Sequence, residues 1–292
     1  MSVIFSPVTR AKSKARVALT GPSGAGKTLS ALYLAYGITG DWSRVALIDT
    51  EHERGRFYAN RSDFNTGAFL YAPMSAPYTP DKYVDYVKSA AELVGSDGVV
   101  IVDSFSHAWD NEGGVLDIKS QIAQQRGKND YTAWDEAGKI QNSLVNTILS
   151  VPCHTIITMR AKMAYAMEVN DRGKTVPVKI GLAPVQRENT EYEFDIVFQL
   201  DRQHTATLSK DTTFLDGWSG VITPELGERL GAWLNEGEEL PRCADCGRVI
   251  MSSAGRTVKQ IVEGTEKNYG RRMCMSCVAK LINERKKADE NA

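Results

Sequence analysis

Eight consecutive residues near the start of the chain have the types and spacing of a phosphate-binding loop. They follow the pattern G-x-x-x-x-G-K-T and are Gly21, Pro22, Ser23, Gly24, Ala25, Gly26, Lys27 and Thr28. Glycines in such a loop let the backbone turn so that several N–H groups point at phosphate oxygens. The lysine then reaches the β- and γ-phosphates, and the hydroxyl after it binds Mg²⁺. The pattern therefore predicts a site for ATP and Mg²⁺.

The segments on either side of this loop favour the same interpretation. Residues 15–20 are a short β-forming run, and residues 29–36 have the apolar stripe of a helix. A strand, a glycine turn and a helix start are the context in which this motif binds phosphate, because the helix N-terminus carries a partial positive charge. The alternative, a chance glycine-rich turn, does not predict these flanks.

An acidic residue follows a fully apolar run later in the chain. Residues 98–102 are Gly-Val-Val-Ile-Val, and Asp103 comes next. A carboxylate at the tip of a buried strand beside a phosphate loop is expected to help hold Mg²⁺. The alternative is an ordinary acid at a strand end, and the presence of the phosphate loop favours the magnesium role.

A second strand tip offers a group to orient the attacking water. Residues 47–53 are Leu-Ile-Asp-Thr-Glu-His-Glu, whereas residues 104–106, after Asp103, contain no glutamate. Hydrolysis needs a base or a water-positioning group beside the γ-phosphate. From residue types alone, Glu51 and Glu53 are both candidates for this group, and a solvated acidic loop is the alternative.

Two of these segments resemble RecA and RadA recombinases. "LIDTEH" resembles the segment that supplies their catalytic glutamate, and "VVIVDSFSHAW" resembles their Walker B strand. By this resemblance Glu51 is the water-positioning base, Glu53 is its competitor, and the expected activity is ATP hydrolysis. The implied fold is an α/β, RecA-like P-loop NTPase core. The alternation of apolar strands with helices independently predicts a mainly parallel sheet covered by helices on both faces.

The resemblance also implies roles for two basic residues. Arg160 follows the apolar run 154–159, where RecA-like cores carry a polar γ-phosphate sensor that leads into a DNA-binding loop. That residue is usually glutamine, so the arginine departs from the pattern and leaves phosphate sensing and DNA contact as alternatives. Lys210 ends the last core strand, a region from which RecA-like assemblies insert a basic residue into the neighbour's ATP site. A solvated strand-end lysine is the alternative.

Residues 158–201 resemble phage-encoded RecA-core ATPases associated with single-strand annealing, and the similarity covers roughly residues 15–215. It implies a DNA-stimulated ATPase that acts on single-stranded DNA in recombination or annealing. It also implies a homo-oligomer, either a ring or a filament, with ATP sites between subunits, and a single-strand-binding protein as a further partner. The alternatives are a helicase or packaging motor and a slowly hydrolysing nucleotide switch. A small-molecule kinase ranks last because no arginine-rich lid is present.

Residues 163–180 alternate around Asn-Asp-Arg-Gly and predict a β-hairpin. The candidate DNA-binding residues on or beside it are Lys162, Tyr165, Arg172, Lys174 and Lys179. Basic side chains can follow phosphates and an aromatic ring can stack on a base, so we expect DNA contact here. A half-buried hairpin with a charged outer face is the alternative. Residues 119–128, with Tyr131 and Trp134 after them, are a second candidate DNA loop.

Four cysteines near the C-terminus form a C-x₂-C…C-x₂-C set with 27 residues between the pairs. They are Cys243, Cys246, Cys274 and Cys277. Four thiolates at this spacing predict a closed, structural Zn²⁺ site of the zinc-ribbon type. Disulfides are the alternative, and a cytoplasmic ATPase argues against them. Residues 241–292 carry a net charge of +5, which favours DNA as a partner over a purely structural or protein-docking module.

The chain as a whole is predicted to have three parts. Residues 1–236 are the RecA-like ATPase core, 237–241 a linker, and 242–292 the zinc ribbon with its basic tail. The 292 residues have a net charge of −1 and include no apolar run long enough to span a membrane, so we expect a soluble protein of the cytoplasm. His107, His154, His204 and Cys153 are interpreted as structural.

Overall fold

A computed structural model describes residues 8–169, 175–253 and 255–290. Two compact units are present, and Lys14–Trp233 is the larger. The described residues on either side of it, 8–13 and 234–290, form the smaller. The predicted division of the chain at 237–241 stays a prediction. No helix in the described part of the chain is long and apolar enough to cross a membrane.

The larger unit is built on one mainly parallel sheet, as predicted. Its described strands follow the order β3-β2-β4-β5-β1-β7-β8-β9, with β6 paired to β5. The pairs among the first six positions are parallel, whereas β6, β8 and β9 pair antiparallel. The strands are β1 Arg16–Gly21, β2 Val45–Asp49, β3 Leu70–Pro73, β4 Val99–Asp103, β5 His154–Val169, β6 Thr175–Pro184, β7 Ile196–Leu200, β8 Thr205–Asp211 and β9 Ser219–Val221.

Helices pack on this sheet and connect its strands. In the larger unit they are α1 Lys27–Thr39, α2 Pro80–Val94, α3 His107–Asp110, α4 Val115–Ala123, α5 Asp130–Ser150 and α6 Pro224–Leu234. The smaller unit contains α7 Val258–Tyr269 and α8 Met275–Glu290. Helix α2 has a well-formed start, because the Thr79 hydroxyl accepts a hydrogen bond from the Lys82 N–H and Pro80 is the first helical residue.

The central strands bring the tips of several segments to one edge of the sheet. All residues of β2 and β4 are buried, which explains their continuous apolar sequence. The parallel register aligns Asp49 with Asp103, and Gly21 with Arg160. The carboxyl ends of β1, β2, β4 and the buried part of β5 therefore meet at the same edge, where open α/β sheets bind ligands.

Two glycines let α1 and α6 touch backbone to backbone. A Cβ atom on Gly37 would lie 2.0 Å from the Pro224 carbonyl oxygen and 2.7 Å from the Gly227 Cα. A Cβ on Gly227 would in turn lie 2.5 Å from the Leu34 carbonyl oxygen. Neither position has room for a side chain, so the helix that begins at the phosphate loop is braced by α6 through bare backbone.

The smaller unit has a small apolar core. Its buried cluster, among the described residues, consists of Cys243, Ile250, Ile261, Met273 and Val278. Helix α7 begins with a capping box, in which the side chains of Thr257 and Gln260 each accept from the other's backbone N–H. Local hydrogen bonds of this kind fix the start of a helix that has few buried contacts.

Candidate nucleotide site

The predicted phosphate loop has the backbone conformation that its glycines allow. Gly24 and Gly26 have φ values of 80° and 82°, in the left-handed region that residues with a Cβ rarely adopt. Helix α1 begins at Lys27, so the last two residues of the motif form its first turn. The Lys27 ammonium donates to the carbonyl oxygens of Gly21, at 3.0 Å, and Pro22, at 2.9 Å. These bonds hold the ammonium against its own loop, and a bound phosphate would compete for it.

Asp103 lies at the tip of β4 and is held by two hydroxyls. The Thr28 hydroxyl donates to Asp103 Oδ2 at 2.5 Å, and the Thr158 hydroxyl donates to Oδ1 at 2.5 Å. Burial raises the pKa of the Asp103 carboxyl above its usual value, and the two hydroxyl bonds oppose that shift. A buried carboxylate next to a threonine hydroxyl is an oxygen pair that fits Mg²⁺, because hard divalent cations prefer such ligands.

Glu51 meets Arg160 across this edge of the sheet. Arg160 Nε donates to Glu51 Oε1 and Nη2 donates to Oε2, both at 2.8 Å, which is a bidentate ion pair. The Glu51 side chain is half-buried, whereas Glu53 is exposed and pairs with Arg56 at 3.0 Å. Of the two glutamates that the sequence offers, the structure brings Glu51 to the phosphate loop.

The charged side chains at this edge of the sheet shift one another's pKa values. Burial alone would raise the pKa of Glu51, but the hydrogen bonds and charge of Arg160 outweigh it and the net shift is downward. Burial lowers the pKa of Lys27, and the charges of Asp103 and Glu51 partly offset that effect. Glu51 is therefore ionised at neutral pH, as a water-orienting carboxylate needs to be.

A cavity of about 590 Å³ lies over the phosphate loop. It is lined by predicted residues, including Lys27, Thr28, Glu51, Asp103 and Arg160, and by three that the sequence reasoning did not single out: Arg54, Phe57 and Tyr58. These three belong to the 3₁₀ turn Arg54–Tyr58 that follows β2. Their position depends on how that turn folds back over the loop, which residue spacing does not encode.

Asp49 is a further residue that the sequence reasoning passed over. Its Oδ1 accepts from the Glu51 backbone N–H at 2.6 Å, and its Oδ2 accepts from the Gly55 N–H at 2.8 Å and the Tyr71 hydroxyl at 2.9 Å. Asp49 therefore fixes the loop that carries Glu51. Its place at the end of an apolar strand is the signal in the sequence that marks it.

Comparison with known proteins agrees with this geometry. The sequence profile of the AAA domain family matches residues 13–231, which is most of the chain and includes the whole phosphate loop, Glu51, Asp103 and Arg160. The chain belongs to the AAA domain family. With its phosphate loop and acidic strand tips, this AAA domain is a P-loop ATPase.

Comparison of the folds adds a distant likeness. A solved structure of a prototypical ATPase from the type III secretion system of pathogenic bacteria is 14% identical, with a TM-score of 0.37. The alignment covers 75% of this chain, which spans 61% of that structure's length. No curated protein matches the chain.

The strand that carries Arg160 continues past the point where it pairs with β1 and β4. After its buried part, β5 runs on as residues 161–169, which pair antiparallel with β6 from Pro184 back to Thr175. We call these two paired segments the ribbon. The predicted hairpin is thus present, but it begins within β5 instead of after it. The strand is longer than the predicted run 154–159 because the ribbon and the sheet share it.

The candidate DNA-binding residues are spread along the ribbon. Lys162 is exposed, and Met163 and Met167 beside it are 42% and 67% exposed. The predicted residues Arg172 and Lys174 lie outside the described residues, as do the side chains of Tyr165 and Lys179. The described part of the ribbon therefore offers one cation and two exposed thioethers.

The second candidate DNA loop, residues 119–128, is helical in its first half, where it forms the end of α4. Lys119 lies in α4, pairs with Asp130, and has its ammonium 5.2 Å from the centre of the Trp134 ring. Trp134 also stacks on Trp109, with ring centres 6.1 Å apart. Tyr131 is 85% exposed. Lys119 and Trp134 are engaged within the AAA domain, and Tyr131 is the ring most open to solvent in this segment.

Lys210 does not end the last core strand as predicted, because β8 runs on to Asp211 and β9 follows it. It lies at the edge of the sheet opposite to the phosphate loop. It aligns with Val197 near the start of β7, and its ammonium donates to the Tyr192 carbonyl oxygen. This position is remote from the ATP site of its own chain. Its role in a neighbour's ATP site stays a prediction.

The four predicted cysteines of the smaller unit converge. All four sulfur atoms lie within 4.8 Å of one another, and the sulfurs of Cys246 and Cys274 are 3.7 Å apart. None of the four forms a disulfide. A tetrahedral Zn²⁺ site with bonds of about 2.3 Å requires sulfurs about 3.8 Å apart, so the set fits. Arg248 Nε donates to the Cys246 sulfur at 3.4 Å, the kind of outer contact that orients a ligand.

Proposed function

We propose that this P-loop ATPase binds single-stranded DNA on its ribbon and that DNA contact there regulates ATP hydrolysis. The observation that carries the proposal is the ion pair between Glu51 and Arg160. One partner is the candidate base, and the other lies on β5 immediately before the ribbon. A ligand that shifts the ribbon acts on the same strand that holds the base, so the two sites share one element.

Each polar group at the strand tips has a place in the proposed hydrolysis. The N–H groups of the phosphate loop and the Lys27 ammonium bind the phosphates, while Thr28 and Asp103 hold Mg²⁺. Mg²⁺ held by these two oxygens would neutralise charge on the phosphates. Glu51 orients the attacking water and accepts its proton. A guanidinium beside the γ-phosphate stabilises the charge that develops there, which is the role we assign to Arg160.

The Glu51–Arg160 pair is the resting arrangement in this proposal. While Arg160 occupies both carboxylate oxygens, Glu51 has less capacity to bind water. A γ-phosphate competes for the guanidinium and thereby frees the carboxylate. DNA on the ribbon would favour the same exchange by shifting β5, so hydrolysis would be DNA-stimulated.

The ribbon has the chemistry of a single-strand binding surface. Lys162 can neutralise a phosphate, and the exposed side chains of Met163 and Met167 offer apolar surface to bases. Arg172 and Lys174 add two positive charges near the turn of the hairpin in the sequence. Recombination or annealing is the process we assign to it, with a single-strand-binding protein as a further partner.

Two further features complete the proposal. Lys210 acts in a neighbour's ATP site, which makes the active form a ring or filament of identical chains. The four cysteines of the smaller unit hold one structural Zn²⁺, and the basic residues of that unit add DNA contacts. Residues 241–292 keep a charge of about +3 once four thiolates and Zn²⁺ are included.

Hydrolysis rates with and without single-stranded DNA test the proposal. We expect DNA to stimulate the wild type, and Lys162→Ala to shift the half-maximal DNA concentration upward without changing the basal rate. Arg160→Gln should lower the ratio of stimulated to basal rate. No stimulation at any DNA concentration would refute the DNA part. Directional unwinding of a duplex with a single-stranded tail would instead favour the motor alternative.

A further inference from the structure

A buried histidine lies behind the proposed catalytic base. His107 is 1% exposed, at the start of the short helix α3, four residues after Asp103. Its Nε2 atom lies 3.7 Å from Glu51 Oε1 and has no hydrogen-bond partner within the described residues. A buried ring nitrogen without a partner is costly, so its orientation toward a carboxylate calls for an explanation.

The other side of the ring determines which nitrogen carries the proton. His107 Nδ1 lies 2.7 Å from the Thr50 hydroxyl, and that hydroxyl accepts from the Ser104 N–H at 2.8 Å. The hydroxyl of Thr50 can donate its own proton to His107 Nδ1 or, at 3.2 Å, to the Ser104 carbonyl oxygen. That carbonyl already accepts from the Tyr83 hydroxyl at 3.0 Å. The contact with Nδ1, at 2.7 Å against 3.2 Å for the carbonyl oxygen, favours donation to His107.

Electrostatics select the same tautomer. If Nδ1 carried the proton, the lone pair of Nε2 would face the ionised carboxylate of Glu51. If Thr50 donates to Nδ1, the proton is on Nε2 and points at Glu51 Oε1, which is attractive. Burial lowers the pKa of His107, so the ring is neutral at neutral pH and carries this single proton.

Glu51 has capacity for this additional donor. Its Oε1 accepts one hydrogen bond from Arg160, and a carboxylate oxygen can accept two. We propose that His107 is a positioning residue, whose Nε2–H holds the Glu51 carboxylate in place when Arg160 turns to bound nucleotide. The Tyr78 ring, centred 5.0 Å from the imidazole, limits its movement. The inference rests on the proposed role of Glu51 as the base.

Two substitutions distinguish the role of the Nε2 atom of His107 from that of its Nδ1 atom. His107→Gln reaches the position of Nε2 and can donate to Glu51, whereas His107→Asn reaches the position of Nδ1 and can contact only Thr50. We expect His107→Asn to lower kcat by roughly tenfold to a hundredfold, the scale of one hydrogen bond to a charged group. The KM for ATP should change by less than about twofold, because the phosphate cradle is untouched. His107→Gln should keep most of the wild-type kcat.

Three outcomes would overturn the inference. The first is equal loss of kcat in both variants, which would indicate a packing role. The second is unchanged kcat in His107→Asn. The third is a further loss when His107→Asn is added to Glu51→Gln, because a residue that acts through Glu51 has no effect once that carboxylate is gone. If Glu51→Gln alone hydrolysed ATP at the wild-type rate, the proposed base itself would be wrong, a result distinct from these three.

Discussion

The edge of the sheet at the phosphate loop, here called the nucleotide edge, and the smaller unit with its four cysteines, here called the cysteine unit, position their functional groups in opposite ways. At the nucleotide edge, Asp103 ends one strand whose residues are all buried, and the loop bearing Glu51 follows another. In the cysteine unit, one of the four candidate ligands, Cys243, is itself part of a buried cluster of five described residues. The sheet holds the first site in place, whereas the second site is part of the small core that holds its own unit together.

This difference predicts different responses to damage. Burial of many apolar side chains stabilises the sheet, so removal of one polar group at its edge leaves the fold intact. A unit with so small a core is expected to need the metal that its four cysteines could hold, since bound Zn²⁺ contributes roughly 10 kcal/mol or more in zinc-finger peptides. The same kind of substitution should therefore abolish chemistry in one region and structure in the other.

The largest effect is expected from Cys274→Ser. Loss of one thiolate should reduce zinc from about one per chain to near zero and unfold the cysteine unit. Basal ATP hydrolysis without DNA should barely change. Metal analysis and proteolysis of the purified chain measure the two effects.

Ser276→Ala, in the same short motif, is the matched control and should keep its zinc. A Cys274→Ser variant that also kept zinc would refute the four-cysteine site. A variant that lost zinc but bound single strands with unchanged affinity and salt dependence would make the unit a structural or protein-docking module.

Glu51→Gln should lower ATP turnover by about 10²- to 10⁴-fold, because the water loses its orienting base. Binding of ATP should persist, since the phosphate loop and the magnesium ligands are unchanged. Phosphate release and nucleotide binding measured on the same preparation separate the two effects. Glu53→Gln, two residues away and exposed, is the control and should hydrolyse normally. The reverse pattern would move the base to Glu53.

Lys27→Ala should act on binding more than on the fold. The ammonium that now contacts two loop carbonyls is the group expected to reach the phosphates. We expect ATP affinity to fall roughly tenfold to a hundredfold, the scale of charged hydrogen bonds, with no change in thermal unfolding of the nucleotide-free protein beyond a few degrees. Unchanged affinity would exclude this lysine from the phosphate cradle.

The smallest expected effect is a partial rescue between two inactive variants. Mixing Lys210→Ala with Glu51→Gln should restore some hydrolysis, because some interfaces then pair an intact site with an intact lysine. Wild-type specific activity should also rise with protein concentration. Constant specific activity together with no rescue on mixing would remove the role of Lys210 in a neighbouring site.

Much of the nucleotide site was predictable, because its parts are local in sequence. The phosphate loop is one continuous motif, and Asp103 ends an apolar strand in a way that pattern alone shows. The ion pair between Glu51 and Arg160 was not predictable from residue types, since it joins residues 109 positions apart. It follows from strand order, which places β4 between β2 and β5.

The contact between His107 and Glu51 is a second feature that residue types alone do not predict. The sequence predicts a structural role for His107, as for the other scattered histidines His154 and His204, and its side chain is indeed buried. Its contact with Glu51 depends on a tight turn after β4 that directs residue 107 back toward the tip of β2. Spacing from Asp103 is the signal that marks it, and only the fold gives that spacing a meaning.

The glycine contact between α1 and α6 has an evolutionary consequence. Gly37 and Gly227 are 190 positions apart, yet neither can accept even a methyl group without displacing the other helix. A substitution at either position would move α1, the helix that starts at the phosphate loop, although Gly37 lies near the far end of α1 and Gly227 lies in α6. Among relatives of this chain, the two positions should therefore remain glycine together or change together, and their covariation should be visible wherever this ATPase has diverged.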